Sequence, residues 1–202
     1  FVDDRAAPAG LVHYWKGEHD LRDEVGGLHG EEAKASVKFN PDGRVGSAFS
    51  AGSPTRGIPF NKSQPGSKPG GEILPKNGFT VHFWIMPERV KEARWILASL
   101  EDRPRFRLGL EDGKLRVEFL SRADSVPGVV IPTNGWVSLA FSYSDRAGRT
   151  YVDGKESGTL RFSTFISRFQ SDARQQNIPL SIAPVPTNAT PVFANPVDEV
   201  TV

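Results

Sequence analysis

Short runs of apolar residues separated by turn residues recur along this chain, whereas the spacing expected of an amphipathic helix is rare. Twenty Gly and 16 Pro residues punctuate these runs. The pattern is typical of an all-β sandwich or barrel, and we expect a two-sheet antiparallel β-sandwich. Predicted strands lie at 10–16, 36–39, 46–50, 57–60, 79–87, 94–100, 105–111, 114–120, 136–143, 149–152, 155–161, 179–183 and 197–202.

Two Asp-Gly pairs predict tight hairpins within this pattern. Asp112-Gly113 and Asp153-Gly154 each separate two predicted strands, and Asp-Gly favours the two-residue turn in which both residues have positive φ. The stretch from Ser144 to Gly148 predicts a looser third hairpin. Helical turns are expected only at 31–35 and 164–174.

The segment 51–78, rich in Pro, Gly, Ser and Lys, is compatible with either a linker or a long loop. A boundary there would leave about fifty residues with too few strands to enclose a core. We therefore predict one domain over residues 1–202, with 51–78 as a decorated surface loop. Long surface loops often carry function.

The predicted core consists of large apolar side chains on alternating strand positions, which fill the layer between two sheets. Aromatic residues on such strands are more often core than ligand platforms. The candidates are Trp15, Phe49, Trp84, Ile96, Leu108, Leu110, Val117, Phe119, Trp136, Leu139, Phe141, Tyr151, Leu180 and Val200.

Charge and composition exclude several functional classes. The formal net charge is +1 with a pI near 8.2, so no broad field attracts nucleic acid or anionic membrane. The absence of cysteine excludes disulfides and thiol catalysis, and no apolar run approaches the roughly 20 residues of a membrane span. The chain begins at Phe1 without Met or a signal sequence, which indicates a segment excised from a larger protein.

Several motifs in sequence order resemble the LamG-like branch of the concanavalin A-like lectin/glucanase sandwiches. "GLVHYWKGEHDLRDEVGGLHG" at 10–30 is similar to the first strand and its Asp-x-x-Gly-x-x-His-Gly turn. "GFTVHFWIMP" at 78–87 resembles the central strand. "GRVGSAFSAG" at 43–52, "NGWVSLAFSYS" at 134–144, "TYVDGKES" at 150–157, "PLSIAP" at 179–184 and "VDEVTV" at 197–202 follow in the order of the family. The resemblance implies the sandwich fold and an extracytoplasmic setting.

Enzymes of this fold place a Glu-x-Asp-x-x-Glu-like cluster on a central strand, as the resemblance implies. The nearest string here is Glu18-His19-Asp20-Leu21-Arg22-Asp23, which lies between Gly17 and Gly26-Gly27 and therefore in a turn. Alternation cannot direct three carboxylates from a turn into one cleft. The predicted strand 79–87 carries no carboxylate, and the motifs of hydrolase elbows, zincins and P-loops are absent.

Four histidines are candidates for a metal or a catalytic base, and three of them, His13, His19 and His29, lie near the amino terminus. We expect hydrogen-bonding roles in loops rather than a zinc site. His82, in the central strand, faces either solvent or a polar pocket.

Calcium is the metal that the resemblance favours, because carboxylates and loop carbonyls are the oxygen ligands it prefers. By position, the family pattern nominates Asp198 as the side-chain ligand, with Asp23 and backbone carbonyls near Gly46 as further ligands. Asp198 and Asp23 are equally compatible with capping turns or pairing with Arg22 or Arg44.

Sugar binding requires an aromatic platform and planar polar side chains that hydrogen-bond to adjacent hydroxyls. Predicted loop residues supply both, and their basic bias favours acidic or sulfated glycans. Each residue taken alone is more typical of a solvated charged face, with Trp95 partly buried. The candidates are Arg56, Phe60, Asn61, Trp95, Arg103, Arg105 and Arg122.

Together these features indicate a non-catalytic carbohydrate-binding module of a secreted, cell-surface or periplasmic protein, of bacterial origin. Two alternatives remain open from the sequence. The first is an adhesive or structural protein-interaction domain, and the second is a polysaccharide-active hydrolase or lyase with an unrecognised site.

Overall fold

A computed structural model describes residues 10–30, 37–51, 57–63, 78–87, 94–99, 106–119, 122–133, 135–144, 147–161, 180–182 and 195–202. At 61–63, 99, 119, 122–129 and 180 it describes the backbone only. These residues form strands and turns, and none of them belongs to a helix able to cross a membrane. The predicted helical turns at 31–35 and 164–174 lie outside the described residues.

The first sheet, sheet A, contains the longest regular pairing of the molecule. All its pairings are antiparallel, and the strand order is β13-β12-β11-β6-β15-β4-β3, with β1 also pairing with β15. Its strands are β1 (Tyr14–Trp15), β3 (Lys38–Asn40), β4 (Ala48–Ser50), β6 (Gly78–Ile85), β11 (Val137–Ser144), β12 (Ala147–Val152), β13 (Lys155–Arg161) and β15 (Val197–Thr201).

The second sheet, sheet B, is also antiparallel, in the order β10-β9-β8-β7-β14-β5-β2. Together the two sheets form the predicted β-sandwich. The strands of sheet B are β2 (Leu28–Gly30), β5 (Ile58–Ser63), β7 (Arg94–Ser99), β8 (Phe106–Glu111), β9 (Lys114–Phe119), β10 (Arg122–Val130) and β14 (Leu180–Ile182).

The core lies between the sheets and follows from strict alternation along the central strands. On β6 and β11 the odd-numbered residues, such as Phe83 and Phe141, are buried, and the even-numbered residues face outwards. The rings of Phe79 and Phe106 meet edge to face across the two sheets, with centroids 5.7 Å apart. The structure confirms these predicted core residues: Trp15, Phe49, Ile96, Leu108, Leu110, Val117, Leu139, Phe141 and Val200.

Three aromatic residues predicted for the core lie elsewhere. Trp84 and Tyr151 occupy outward positions of β6 and β12, and both are only partly buried, as is Trp136 before β11. The prediction was wrong because it followed residue size and ignored the phase of the alternation: Trp84 is in phase with His82, not with Phe83. The side chains of Phe119 and Leu180 lie outside the described residues.

The two Asp-Gly hairpins are confirmed by their backbone angles. Asp112 and Gly113 have φ of 49° and 71°, and Asp153 and Gly154 have φ of 49° and 74°. Positive φ at both positions matches the right-handed twist of the flanking strands. Residues 145 and 146, which connect β11 to β12, lie outside the described residues.

Two observed strands were not predicted, and a third is longer than predicted. β2 and β10 were not predicted, and β5 continues to Ser63, inside the segment predicted as a loop. β10 contains Asp, Ser, Pro and Gly, which disfavour strands, yet it pairs with β9 around an irregularity between Ser125 and Val130. Its pairing partner overrides its local preference.

The amino-terminal segment is organised around the buried carboxylate of Asp23, which is 4% exposed. The Nδ1 atom of His13 lies 2.6 Å from Asp23 Oδ2, and the His13 ring stacks on Trp15. Burial by itself raises the pKa of Asp23, but the bonds to His13 and to backbone amides outweigh burial and lower it to about 2. Four amides donate to this carboxylate, those of Tyr14, Val25, Gly26 and Leu28.

We expect Asp23→Asn to destabilise the protein by about 3 kcal/mol or more, because it removes a buried charge partner of His13 and turns an amide donor towards backbone donors. Asp20→Asn is the matched control, since Asp20 lies in the same loop with a side chain 55% exposed. Urea denaturation measures both. Equal midpoints for the two variants would contradict a central role for Asp23.

The lowered pKa of Asp23 also predicts an acid dependence. A carboxyl group with a depressed folded-state pKa stabilises the protein above its ordinary pKa of about 3.9, and this contribution disappears as the pH falls through the folded value of about 2. The stability difference between the native protein and Asp23→Asn should therefore narrow between pH 4 and pH 2. Denaturation curves at several pH values measure it, and a constant difference would contradict the assignment.

Candidate functional site

The outer face of sheet A carries polar and aromatic side chains over three adjacent strands. Each side chain follows from the alternation that buries its neighbours. The outward residues are Thr80, His82 and Trp84 on β6, Ser138, Ala140, Ser142 and Ser144 on β11, and Arg149 and Tyr151 on β12.

Small residues on β11 form the floor of a groove between the longer side chains of β6 and β12. The register pairs Ala140 with His82 on one side and with Tyr151 on the other. Two strand spacings separate the walls by about 10 Å, and the floor from Ser138 to Ser144 extends about 20 Å. We call this feature the β11 groove.

Trp84 anchors one end of the groove. The Arg44 guanidinium carbon lies 4.8 Å from the Trp84 ring centroid, and the His82 ring meets it edge on at 6.1 Å. His82 Nε2 lies 2.9 Å from Ser138 Oγ. Burial lowers the pKa of His82, so its ring is neutral at neutral pH. Arg44 itself is exposed, and a cation over an indole ring is held by the ring quadrupole.

Arg44 owes its position to Asp198 on β15, which is the cross-strand partner of Trp84. Asp198 Oδ2 accepts hydrogen bonds from the amides of Arg44 at 2.8 Å and Val45 at 3.0 Å. Glu18 Oε2 accepts one from the Ser47 amide at 3.0 Å. Two carboxylates therefore hold the 43–47 loop against the edge of the groove.

Only one of the two oxygens of the Asp198 carboxylate accepts hydrogen bonds. The residue is 0% exposed, and Oδ1 has no hydrogen-bond partner. Burial raises its pKa to about 6, against the lowering effect of the Val45 and Arg44 amides. Glu199 lies next to it with a pKa raised by burial, and its Oε2 accepts a bond from the Tyr14 hydroxyl. Burial and the surrounding carboxylates, including Glu18, raise the pKa of Tyr14.

The predicted calcium ligands were Asp23, Gly46 and Asp198, and only part of this set fits. Asp23 does not, because His13 and four amides occupy both of its oxygens. The Gly46 carbonyl accepts the Gly43 amide at 2.9 Å, within the loop that Asp198 holds. Among the described residues, no three His, Cys, Asp or Glu side chains form a group that could hold a metal. Within the part of the chain that the structure describes, the unpartnered Asp198 Oδ1 is the feature that fits a cation.

Two of the predicted sugar-binding residues have aromatic rings that are not available at the surface. Phe60 is 1% exposed and packs on Trp15, at 4.7 Å between ring centroids, so the placement of this ring in a surface loop was wrong. Trp95 is 6% exposed on the outer face of sheet B, where Arg107 and Arg116 lie over its ring at 5.3 and 5.4 Å. A sugar could contact the Trp95 ring only after both guanidinium groups moved.

The other predicted sugar-binding residues are not tested. Asn61 and Arg122 lie in β5 and β10, with side chains outside the described residues. Arg56, Arg103 and Arg105 also lie outside them.

A signal for the β11 groove was present in the sequence. Within 78–85, Thr80, His82 and Trp84 share one face, opposite to the apolar face. Trp84 is therefore in phase with polar residues, which marks it as outward. That the small residues of β11 lie beside it required the strand pairing.

The carboxylates of the amino-terminal string serve separate loops, as expected of a turn. Glu18 holds the Ser47 amide, and Asp20 Oδ1 accepts the Arg22 amide at 3.0 Å. Asp23 is enclosed by its own segment. These three groups do not form a cleft with paired carboxylates.

Comparisons with solved structures give the same fold in proteins that handle carbohydrates. Domain 4 of an extracellular arabinanase from Geobacillus stearothermophilus, in complex with arabinotriose, is 19% identical with a TM-score of 0.62, covering 95% of this chain and 90% of that one. Trypanosoma rangeli sialidase in complex with 2,3-difluorosialic acid is 16% identical with a TM-score of 0.64, covering 96% of this chain and 31% of that one.

A third similar structure is of botulinum neurotoxin type C, which depends on interaction with two ganglioside molecules to enter cells. It is 13% identical with a TM-score of 0.60, covering 95% of this chain and 47% of that one. At these identities the likeness concerns the fold.

The comparison with curated proteins gave no match. The sequence model of a laminin G family, described as concanavalin A-like lectin/glucanases superfamily, matches residues 61–200, which is more than half of the chain. The sandwich topology agrees with that match, and the chain belongs to the concanavalin A-like lectin/glucanases superfamily.

Proposed function

We propose that this protein is a non-catalytic carbohydrate-binding module and that its glycan lies in the β11 groove. The observation that carries the proposal is the group formed by Arg44, Trp84, His82 and Ser138 at one end of the groove. It places an aromatic ring, a guanidinium and a neutral imidazole beside one another on a surface of small residues.

Each member of this group has chemistry suited to a sugar. Tyr151 presents an apolar ring with a polar edge, which suits the C–H face and hydroxyls of a sugar ring, and the Trp84 ring holds the Arg44 guanidinium at the end of the groove. Arg44 presents several N–H donors in a fixed plane and would pair with an acidic or sulfated unit. Neutral His82 and the Ser138 hydroxyl can each donate and accept.

The comparisons support this function at the level of the fold. Similar folds occur in an arabinanase domain in complex with arabinotriose and in a neurotoxin that interacts with gangliosides. Similar folds in proteins that act on sugars outside the cell favour an extracytoplasmic setting for this chain, in a bacterial protein.

A hydrolytic role is not favoured by the groove. Glycoside hydrolysis needs two carboxyl groups about 5–10 Å apart across the scissile bond. The segments 78–85 and 137–144, which form one wall and the floor, contain neither Asp nor Glu. Asp198, the nearest carboxylate on β15, is buried and bound to two amides.

We expect Trp84→Ala and Arg44→Gln to weaken glycan binding by about tenfold or more, the scale of an interface hot spot, without loss of folding. The measurement is a glycan array with neutral, uronic and sulfated polymers, followed by titration of the strongest ligand. Arg116→Gln is the matched control, because Arg116 also lies over a tryptophan ring, on the opposite sheet.

Loss of binding in Arg116→Gln with normal binding in Arg44→Gln would move the site to sheet B. An array on which the native protein binds no glycan would favour the adhesive alternative.

Calcium bound at Asp198 is a second part of this proposal. Its support is the buried Oδ1 of Asp198, which has no hydrogen-bond partner, and Asp23 is not among the ligands. When bound, a divalent cation would offset the charge of Asp198 and tie β15 to the 43–47 loop.

A cation that binds only the folded state should raise the melting temperature in millimolar calcium and lower it in chelator. Asp198→Asn should abolish this response, because Asn keeps one oxygen for the two amides but loses the charge.

In chelator above pH 6 this variant should melt no lower than the native protein, since burial raises the pKa of the carboxyl group that it removes. Asp20→Asn is the control. Identical native melting curves with calcium and with chelator would rule out the ion.

A further inference from the structure

A cavity of about 480 Å³ lies on sheet A where β6 begins and β11 ends. This volume is within the range of small-ligand sites. Four Ser and Thr residues line it, Thr80, Ser142, Ser144 and Thr201. The rest of the lining comes from Gly78, Phe79, Tyr143, Val202 and the segment 10–12. We call it the hydroxyl pocket.

The hydroxyl pocket is continuous with the β11 groove. Thr80 and Ser142 are cross-strand partners and stand on the same outer face as His82 and Ala140. Thr201 is the partner of His82 on the next strand. A chain laid along β11 from Ser138 would therefore reach the pocket at Ser142 after about 14 Å.

Gly78, which lines the pocket, lies very close to the backbone of β11. Gly78 has φ of 149°, and a Cβ atom there would lie 2.8 Å from the Tyr143 carbonyl oxygen. Glycine is therefore required by the close approach of β11, and no side chain rises from this position into the cavity.

The chemistry of the lining selects the occupant. Among the described residues that line the pocket there is no Asp, Glu, Lys, Arg or His side chain. A charged group placed against these described side chains would lose hydration and gain no charged partner from them, which is unfavourable. Hydroxyl side chains both donate and accept, as the hydroxyls of a sugar do.

We propose that the hydroxyl pocket is a subsite for a neutral sugar residue, and that an oligosaccharide runs along β11 from Arg44 and Trp84 into it. This inference rests on the proposed function and adds the direction of the glycan and the class of residue at its far end. An acidic or sulfated unit, if present, belongs at the Arg44 end.

The test uses Ser142→Leu, which fills the pocket, and Thr80→Val, which removes one hydroxyl without changing the shape of the side chain. Both positions face outwards, so the core is unchanged, and thermal melts verify folding. Thr159→Val on β13 is the control, because Thr159 is exposed and does not line the pocket. Calorimetry measures binding of neutral arabino-oligosaccharides of two to six residues and of a uronic acid series of equal lengths.

In the native protein, affinity should rise with length in the neutral series until the chain reaches the pocket. Ser142→Leu should lose this increase in affinity, which we expect to be about tenfold, while the shortest ligands bind it as they bind the native protein. Thr80→Val should lose part of the increase. Thr159→Val should match the native protein.

If Ser142→Leu binds the longest neutral ligands as tightly as the native protein does, the pocket is not a subsite. If affinity rises equally with length in the uronic series, the subsite is not specific for a neutral sugar, and the proposal also fails. If Trp84→Ala alone abolishes binding, the proposed function stands and this inference fails. If Ser142→Leu alone abolishes binding, the pocket is the binding site and Trp84 does not bind the glycan. No binding by the native protein in either series would overturn both.

Discussion

The antiparallel pairing of β6 with β11 is the constraint on which both the core and the candidate site depend. Eight residue pairs in continuous register send Phe83, Leu139 and Phe141 into the core and send Trp84 and Ser138 outwards. A shift of one residue on either strand would exchange the two faces, exposing apolar rings and burying polar groups. The hydrophobic free energy of the core therefore also fixes the composition of the β11 groove.

The second organising interaction joins residues far apart in the chain. Asp198 on the closing strand holds the amides of Arg44 and Val45, and this places a guanidinium over Trp84. The same arrangement leaves a buried carboxylate oxygen without a partner, which is unfavourable for folding when the group is ionised.

Much of the fold could be predicted because its signals are local. Asp112-Gly113 and Asp153-Gly154 specified their hairpins, since positive φ at both turn residues depends on these residue types alone. β10 could not be predicted, because its Pro and Gly oppose a strand and its pairing with β9 leaves no local signal. Phe60 was placed in a loop because the residues that follow it in the sequence are polar, whereas its ring packs on Trp15.

The sequence by itself determined the all-β class, the two Asp-Gly hairpins and part of the core, because alternation and turn chemistry act between residues close in the chain. The superfamily was indicated by the resemblance of its motifs to those of the family. Only the tertiary structure decided which residues meet on a surface. The small residues of β11 form a groove because β6 and β12 lie beside them, and Arg44 meets Trp84 because Asp198 holds its loop. These contacts join positions separated by tens to more than a hundred residues, and a local pattern carries no record of such distances.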